Sequence, residues 1–167
     1  VGRLTKQKNF QFLINAFSKI NKHKFILLIA GEGEEKESLQ KLISEKKLDD
    51  KIFLIGYKEN IGEYFKNCEA LILSSEWEDP GFAIIEAAFY RAPIISCDCE
   101  NGPKEILKNG INSFVYLKNN QKSFLEAFRE FNVTKKEDIF KRKVQASKMV
   151  KQFTIFSHFN KLKEILN

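Results

Sequence analysis

What most constrains this chain is the alternation of short apolar runs with stretches of helical periodicity. The runs are KFILLIA at 24–30, KIFLI at 51–55, ALILS at 70–74, PIIS at 93–96 and SFVY at 113–116. Each has the length of a strand, and the first two stop at Gly31 and Gly56. Ahead of them, Phe10, Leu13, Ile14, Phe17 and Ile20 recur at the spacing of one helix face. Between the runs, helices are predicted over about 35–46, 61–67, 82–90 and 104–108, the last stopped by Asn109-Gly110, with more helices after 116. Strands apolar on both faces need helices on both sides, and a regular strand–helix alternation joins its strands in parallel. The expectation is a doubly wound, Rossmann-like α/β sheet forming one domain over residues 1–167.

In such sheets ligands sit where the strands' carboxyl ends meet the following loops, because helix N-termini there present free amides. The loops to inspect are Gly31-Glu32-Gly33, Gly56-Tyr57, Ser74 to Gly81, and Ser96 to Gly102. The third reads SSEWEDPGFAIIEAA, with Glu78 and Glu86 separated by seven residues. Pro80-Gly81 can make the turn and expose the amides of Gly81, Phe82 and Ala83, which would favour a phosphate. Glu78 would then flank the ligand, and Glu86, one or two turns in, could accept hydrogen bonds from ribose hydroxyls. On composition alone both read as surface glutamates.

Other chemistries find less support. Gly31-Glu32-Gly33 lacks the third glycine of a dinucleotide fingerprint, and Glu34-Glu35 would repel a pyrophosphate. Asp49-Asp50 lie in a turn before a strand, so no catalytic metal is expected. Cys68, Cys97 and Cys99 are an odd set, and His23 and His158 are too distant in sequence to complete a metal site with the Cys97/Cys99 pair. Reduced cysteines and runs of strand length suit a cytoplasmic protein. His23 reads as a helix-end residue. The opening VGRL, without a methionine, suggests a piece of something longer.

The formal charge of +6 resides in residues 135–167, which hold nine Lys or Arg against three acids. Lys141, Arg142, Lys143, Lys148 and Lys151 could face an anionic membrane surface or an acidic partner, though a solvated helix face is the first reading. Nucleic acid is not expected, because the phenylalanines follow core periodicity and are not interleaved with the basic residues.

Several motifs in order resemble the family-4 (group 1) retaining glycosyltransferases, whose GT-B architecture pairs two Rossmann-like domains. VGRLTKQKN resembles the opening of the C-terminal domain. LLIAGEGEEKESL, IFLIGY, EDPGFAIIE with its Glu-x7-Glu spacing, APIIS and GPKEIL follow in the family's order. FTIFSHFNKLKEIL resembles the helix that crosses back to the N-terminal, acceptor-binding domain, over about 153–167. The resemblance implies a nucleotide-sugar donor site (UDP-, GDP- or ADP-sugar) without cofactor or metal. It implies that Arg3 and Lys8 contact the donor diphosphate, that Glu86 binds ribose, and that Glu78 meets sugar hydroxyls. Gly81, Phe82 and Ala83 would hold the phosphates, Gly31 and Gly33 would let a loop pass close to the ligand, and Gly56 and Tyr57 would sit near the base.

Three departures stand out. Asp79 and Pro80 replace a glycine and an aromatic of the usual Glu-Gly-Phe-Gly, so the sugar preference can differ. Ser113 replaces a glycine. Asn101-Gly102-Pro103-Lys104-Glu105 resembles members that build bacterial surface polysaccharides. The implied activity is hexosyl transfer with retention, onto a glycan or lipid acceptor. The alternatives are a non-catalytic nucleotide- or sugar-binding module and a sugar-nucleotide epimerase.

Overall fold

Every apolar run becomes a strand. The computed structural model describes residues 1–20, 24–107 and 110–166. A 3-10 turn at Lys6–Lys8 leads into α1 (Phe10–Phe17), β1 (Leu27–Ala30), α2 (Lys36–Glu45), β2 (Ile52–Gly56), α3 (Ile61–Asn67) and β3 (Leu71–Leu73). Then come α4 (Phe82–Phe89), β4 (Ile94–Cys97), α5 (Gly102–Leu107), β5 (Phe114–Tyr116), α6 (Gln121–Val133), α7 (Lys136–Val150), a second 3-10 turn at Lys151–Phe153 and α8 (Ile155–Leu166). The expectations for His23 and for a stop at Asn109 lie outside the described residues, as does the side chain of His158.

All pairings are parallel, but the strands form two hydrogen-bonded sets. β1 pairs with β2 in the register Leu27 to Ile52, while β4 lies between β3 and β5, with Ile94 opposite Leu71 and Ile95 opposite Phe114. Two boundaries differ from the sequence pattern for identifiable reasons. β1 starts only where β2 is available to pair, so Phe25 instead turns its ring edge-on to Phe128, 5.1 Å between centroids. α5 starts two residues early, at Gly102, because Pro103 suits a first helical turn in which its missing amide costs nothing.

The helices fall into two packed groups, α1 with α2 and α6, and α4 with α3, α5 and α7, as a doubly wound sheet requires. The phenylalanines predicted to be core are the mortar of the first group. Phe124 meets Tyr116 edge-on at 5.2 Å, and Phe12 stacks on Tyr116 at 6.1 Å. Lys51, buried at the start of β2, donates to the carbonyls of Phe17 and Ile20 and so closes the end of α1. The basic C-terminal segment is not uniformly solvated. Arg142 turns inward over the Phe114 ring, donates to the Ser113 carbonyl and pairs with Glu130, whereas Lys141 is exposed and pairs with Asp138.

The Tyr116 hydroxyl donates to the Leu73 carbonyl at 2.7 Å, tying β5 to β3 across β4. Burial holds its phenol pKa well above the ordinary value, so it remains a donor. Tyr116→Phe is expected to cost about 1 kcal/mol, the net worth of one buried hydrogen bond. Urea denaturation at neutral pH measures it, and an unchanged midpoint would show that the bond contributes nothing.

Candidate functional site

The carboxyl ends of the strands converge on two loops that the sequence separates by about seventy residues. Residues 2–8 follow the edge of β1: the Gly2 amide donates to Ala30 and the Leu4 amide to Glu32, at 2.9 and 2.8 Å. Residues 74–81 follow β3. The two loops are laced together, with the Glu76 amide donating to the Gln7 carbonyl, the Ser74 hydroxyl to the Lys8 carbonyl, and the Gln7 amide group to the Trp77 carbonyl.

At the centre of this seam Lys8 donates to both carboxylate oxygens of Glu78, at 2.7 and 2.8 Å, and the Ser75 hydroxyl also donates to Glu78. Glu78 is 2% exposed, whereas the Lys8 side chain retains 17%. In this conformation the Glu78 carboxylate addresses Lys8 rather than solvent, and the Lys8 side chain keeps a small accessible area. A buried carboxylate this well satisfied fixes the position of the cation it holds.

Gly81 then caps α4 in the left-handed region, φ 89°, with no side-chain cap on the helix N-terminus. The first turn of α4 thus begins without a side-chain cap, and Gly81 itself lies against the Glu78 side chain that holds Lys8. Gly81 and Ala83 are buried, Phe82 is exposed, and Glu86 is exposed one turn further along. Arg3 is exposed and, among the described residues, has no ion-pair partner. The binding-module reading would be favoured by a Glu86 buried in a salt bridge. Glu86 is exposed instead, and lines a cavity of about 450 Å³ with Asn60, Phe89, Tyr90 and Phe153.

Gly31 and Gly33 have a packing explanation within the chain. A side chain at Gly31 would meet the Gly2 carbonyl oxygen at 1.9 Å, and one at Gly33 would meet the backbone of Leu4 at 2.4 Å. Their bare Cα atoms let the Arg3 loop lie against the β1 loop. Gly56 has φ 70° and ends β2 beside Glu32, and Tyr57 is exposed. Cys97 and Cys99 are buried, and the Cys97 thiol donates to the Ser75 carbonyl. Its pKa is held well above the ordinary thiol value by the hydrogen bond it shares with Cys99 and by burial. Among the described residues no group of three or more metal-ligating side chains occurs.

Sequence reasoning missed the supports of the seam. Glu76 accepts from Asn9 at 2.6 Å and from Asn119 at 2.9 Å, and Lys118 donates to the Glu76 carbonyl. Asn9 also caps α1 by accepting from Phe12. Partners 42 to 67 residues apart leave no periodic signal, and only the α1 cap had a local pattern to find.

Comparison with known proteins identifies the family and the fold. Residues 1–147 match the family model described as glycosyl transferases group 1. An uncharacterised glycosyltransferase of Methanocaldococcus jannaschii is 38% identical over 114 residues, covering 67% of this chain and 28% of the relative. The amylovoran biosynthesis glycosyltransferase of Erwinia amylovora is 37% identical over 109 residues, 65% of this chain and 31% of its own. The solved structure of a TarM variant of S. aureus, with UDP bound, superposes with a TM-score of 0.87 at 20% identity, covering 99% of this chain and 34% of that one. The chain spans about a third of the length of these proteins. It belongs to the group 1 glycosyl transferases, with the Rossmann-like fold of the C-terminal half of the GT-B architecture.

Proposed function

We propose that this domain binds a nucleoside-diphosphate sugar and, with an N-terminal acceptor domain, transfers the hexosyl group with retention of configuration in cell-surface glycan or glycolipid synthesis. The carrying observation is the Lys8–Glu78 pair, which sets a mostly buried cation near the uncapped start of α4. Together these make an anion site where a diphosphate would lie. Arg3, on the same loop as Lys8, supplies a second cation. Departure of the nucleoside diphosphate builds charge on its oxygens, and cations already in place lower that cost without reorganising. On this reading they do so without a metal ion, and a phosphate oxygen of the leaving group takes the acceptor's proton.

Glu86 binds the ribose, with Gly56 and Tyr57 near the base. The amides of Gly81, Phe82 and Ala83 hold phosphate oxygens. Gly31 and Gly33 act through the close approach of the loop carrying Arg3. Glu78 serves first to hold Lys8, and a sugar hydroxyl would reach it at the buried end of the cleft. The exposed apolar residues Phe159, Leu162, Ile165 and Leu166 of α8 suit docking against the acceptor domain. No helix among the described residues is long and apolar enough to cross a membrane, and action at the cytoplasmic membrane face, through the exposed lysines of α7, is part of the proposal. The bound UDP of the TarM structure and the amylovoran role of the Erwinia relative support the donor and glycan classes.

Calorimetric titration with UDP-, GDP- and ADP-sugars, with and without magnesium, tests the donor assignment. One member is expected to bind without needing the metal, and silence from all of them at millimolar concentration would refute it. Glu86→Ala is expected to weaken that binding by about 2 kcal/mol, the loss of charge-assisted hydrogen bonds. Normal affinity in this variant would remove Glu86 from the ribose.

A further inference from the structure

Cys97 and Cys99 adjoin the seam and take no part in the site chemistry described above. Cys97 closes β4, and the backbone stays extended past it: the Asp98 amide donates to the Tyr116 carbonyl, and Glu100 bridges to Trp77 in parallel. Positions two apart in extended backbone share a face, so the two side chains point the same way. The thiols are hydrogen-bonded to each other, and each residue is 1% exposed. The Cys97 thiol also donates to the Ser75 carbonyl at 3.2 Å, and the Ser75 hydroxyl donates to Glu78. A continuous chain of contacts therefore runs from the thiol pair to the ion pair. Among the described residues no group of three metal-ligating side chains includes them. What two adjoining thiols offer instead is a disulfide.

We propose that Cys97 and Cys99 are a reversible oxidation site for a small hydroperoxide, and that closing their disulfide loosens the Lys8–Glu78 seam. Cys99 is the attacking sulfur. The hydrogen bond from Cys97 lowers its thiol pKa, against burial and the Glu78 charge, and Lys118 adds to the lowering. A lowered pKa supplies the thiolate that a peroxide requires. Burial excludes bulky reagents, but Cys99 lies between half-buried Asp98 and exposed Glu100 on the loop from β4 to α5, so a small peroxide needs only that loop to open. The Cys99 thiolate attacks one peroxide oxygen, the O–O bond breaks, and the departing oxygen takes a proton and leaves as an alcohol or water. The Cys97 sulfur then displaces the hydroxyl of the Cys99 sulfenic acid. The S–S bond forms, the S–O bond breaks, and the hydroxide takes the Cys97 proton to leave as water. Two thiols give up two protons and two electrons, and the same two electrons reduce the peroxide.

The consequence for the seam follows from reach. Same-face neighbours along an extended strand lie about 6.6 Å apart. A disulfide prefers Cα atoms about 5.5–6 Å apart, so closure draws Cys99 toward Cys97 by about 1 Å, and Glu100 with it. Glu100 is the residue that bridges to Trp77 and accepts from the Glu78 amide at 3.4 Å. Closure also removes the thiol proton that the Ser75 carbonyl accepts. Both effects act on the residues that hold Glu78, so the device works whatever ligand Lys8 meets.

The test uses the chain carrying Cys68→Ser, which leaves Cys97 and Cys99 as its cysteines. It is treated with hydrogen peroxide, denatured, alkylated and analysed by mass spectrometry. The expected product has lost about 2 Da, takes up no alkylating reagent, and regains both thiols in dithiothreitol. In the native oxidised chain the Glu76 and Glu78 amides should exchange about 10-fold faster than in the reduced chain. Adding Cys97→Ser should abolish the mass loss and the faster exchange together, while the serine hydroxyl can still donate to Ser75. Thiols that both stay alkylatable after peroxide overturn the proposal, as does stable oxygen addition to one sulfur or a disulfide between two chains. A disulfide that forms while Glu76 and Glu78 exchange at unchanged rates also overturns it, because the pair would then be uncoupled from the seam.

Discussion

Lys8→Ala is expected to lower the unfolding free energy by about 3 kcal/mol and to abolish measurable binding of a nucleoside diphosphate. The stability loss comes from the carboxylate left behind. Glu78 is 2% exposed, and without the ammonium on both its oxygens it retains, among the described residues, only the Ser75 hydroxyl as a side-chain donor. A buried charge that loses its partner carries its full desolvation cost, whereas an accessible one turns to water. The reverse truncation, Glu78→Ala, should therefore cost less, because Lys8 at 17% exposure can rehydrate. Urea denaturation of the two variants measures the asymmetry, and equal losses would show that Lys8 is as buried as its partner. The double variant Lys8→Met/Glu78→Leu separates folding from function. It should recover much of the stability, since an apolar pair can replace a buried ion pair, while nucleotide binding stays lost. A double variant that binds UDP as well as the parent chain would remove Lys8 from the diphosphate site.

How much of this was legible in the sequence depended on the range of the interaction. The strands were readable because burial on both faces writes a continuous apolar run, and α3 over Ile61–Asn67 emerged with its predicted ends. The break between β1 and β3 was not readable. Each run looks the same whether it has one neighbour or two, since both leave the side chains equally apolar. Glu78 and Lys8 were singled out separately, as sugar-facing carboxylate and phosphate-facing cation. That they bond to each other is a fact of tertiary approach between loops seventy residues apart. Gly31 and Gly33 show the opposite case. Glycine was read there as letting a loop pass close to the ligand, and within the chain the close approach is to the backbone of Gly2 and Leu4. A sequence marks where a side chain is forbidden without saying what forbids it.

The same logic makes Gly102→Ala the sharpest test of how the cleft is built, with an expected cost of about 3 kcal/mol. Gly102 opens α5 with no positive φ, so alanine meets no backbone strain there, and intrinsic helix propensity would favour it by about 1 kcal/mol. The opposing effect is steric. A methyl at this position would lie 1.9 Å from the Pro80 carbonyl oxygen and 2.6 Å from its carbon. Side chains essentially never approach closer than 3.0 Å, so either α5 or the Asp79–Gly81 turn must move by about 1 Å. The helix is held by buried Ile106 and Leu107, so the turn is the softer element. That turn joins Glu78 to the Gly81 cap of α4, and moving it misaligns Lys8 against the helix amides. Displacements of this size cost up to about 100-fold where positioning supplies the binding geometry. Thermal denaturation and UDP titration should therefore fall together in Gly102→Ala, while Lys104→Ala, exposed on the same helix, changes neither. Retention of both by Gly102→Ala would mean that the turn and α5 are not in contact in solution, and that the rigidity of the Lys8–Glu78 seam has another source.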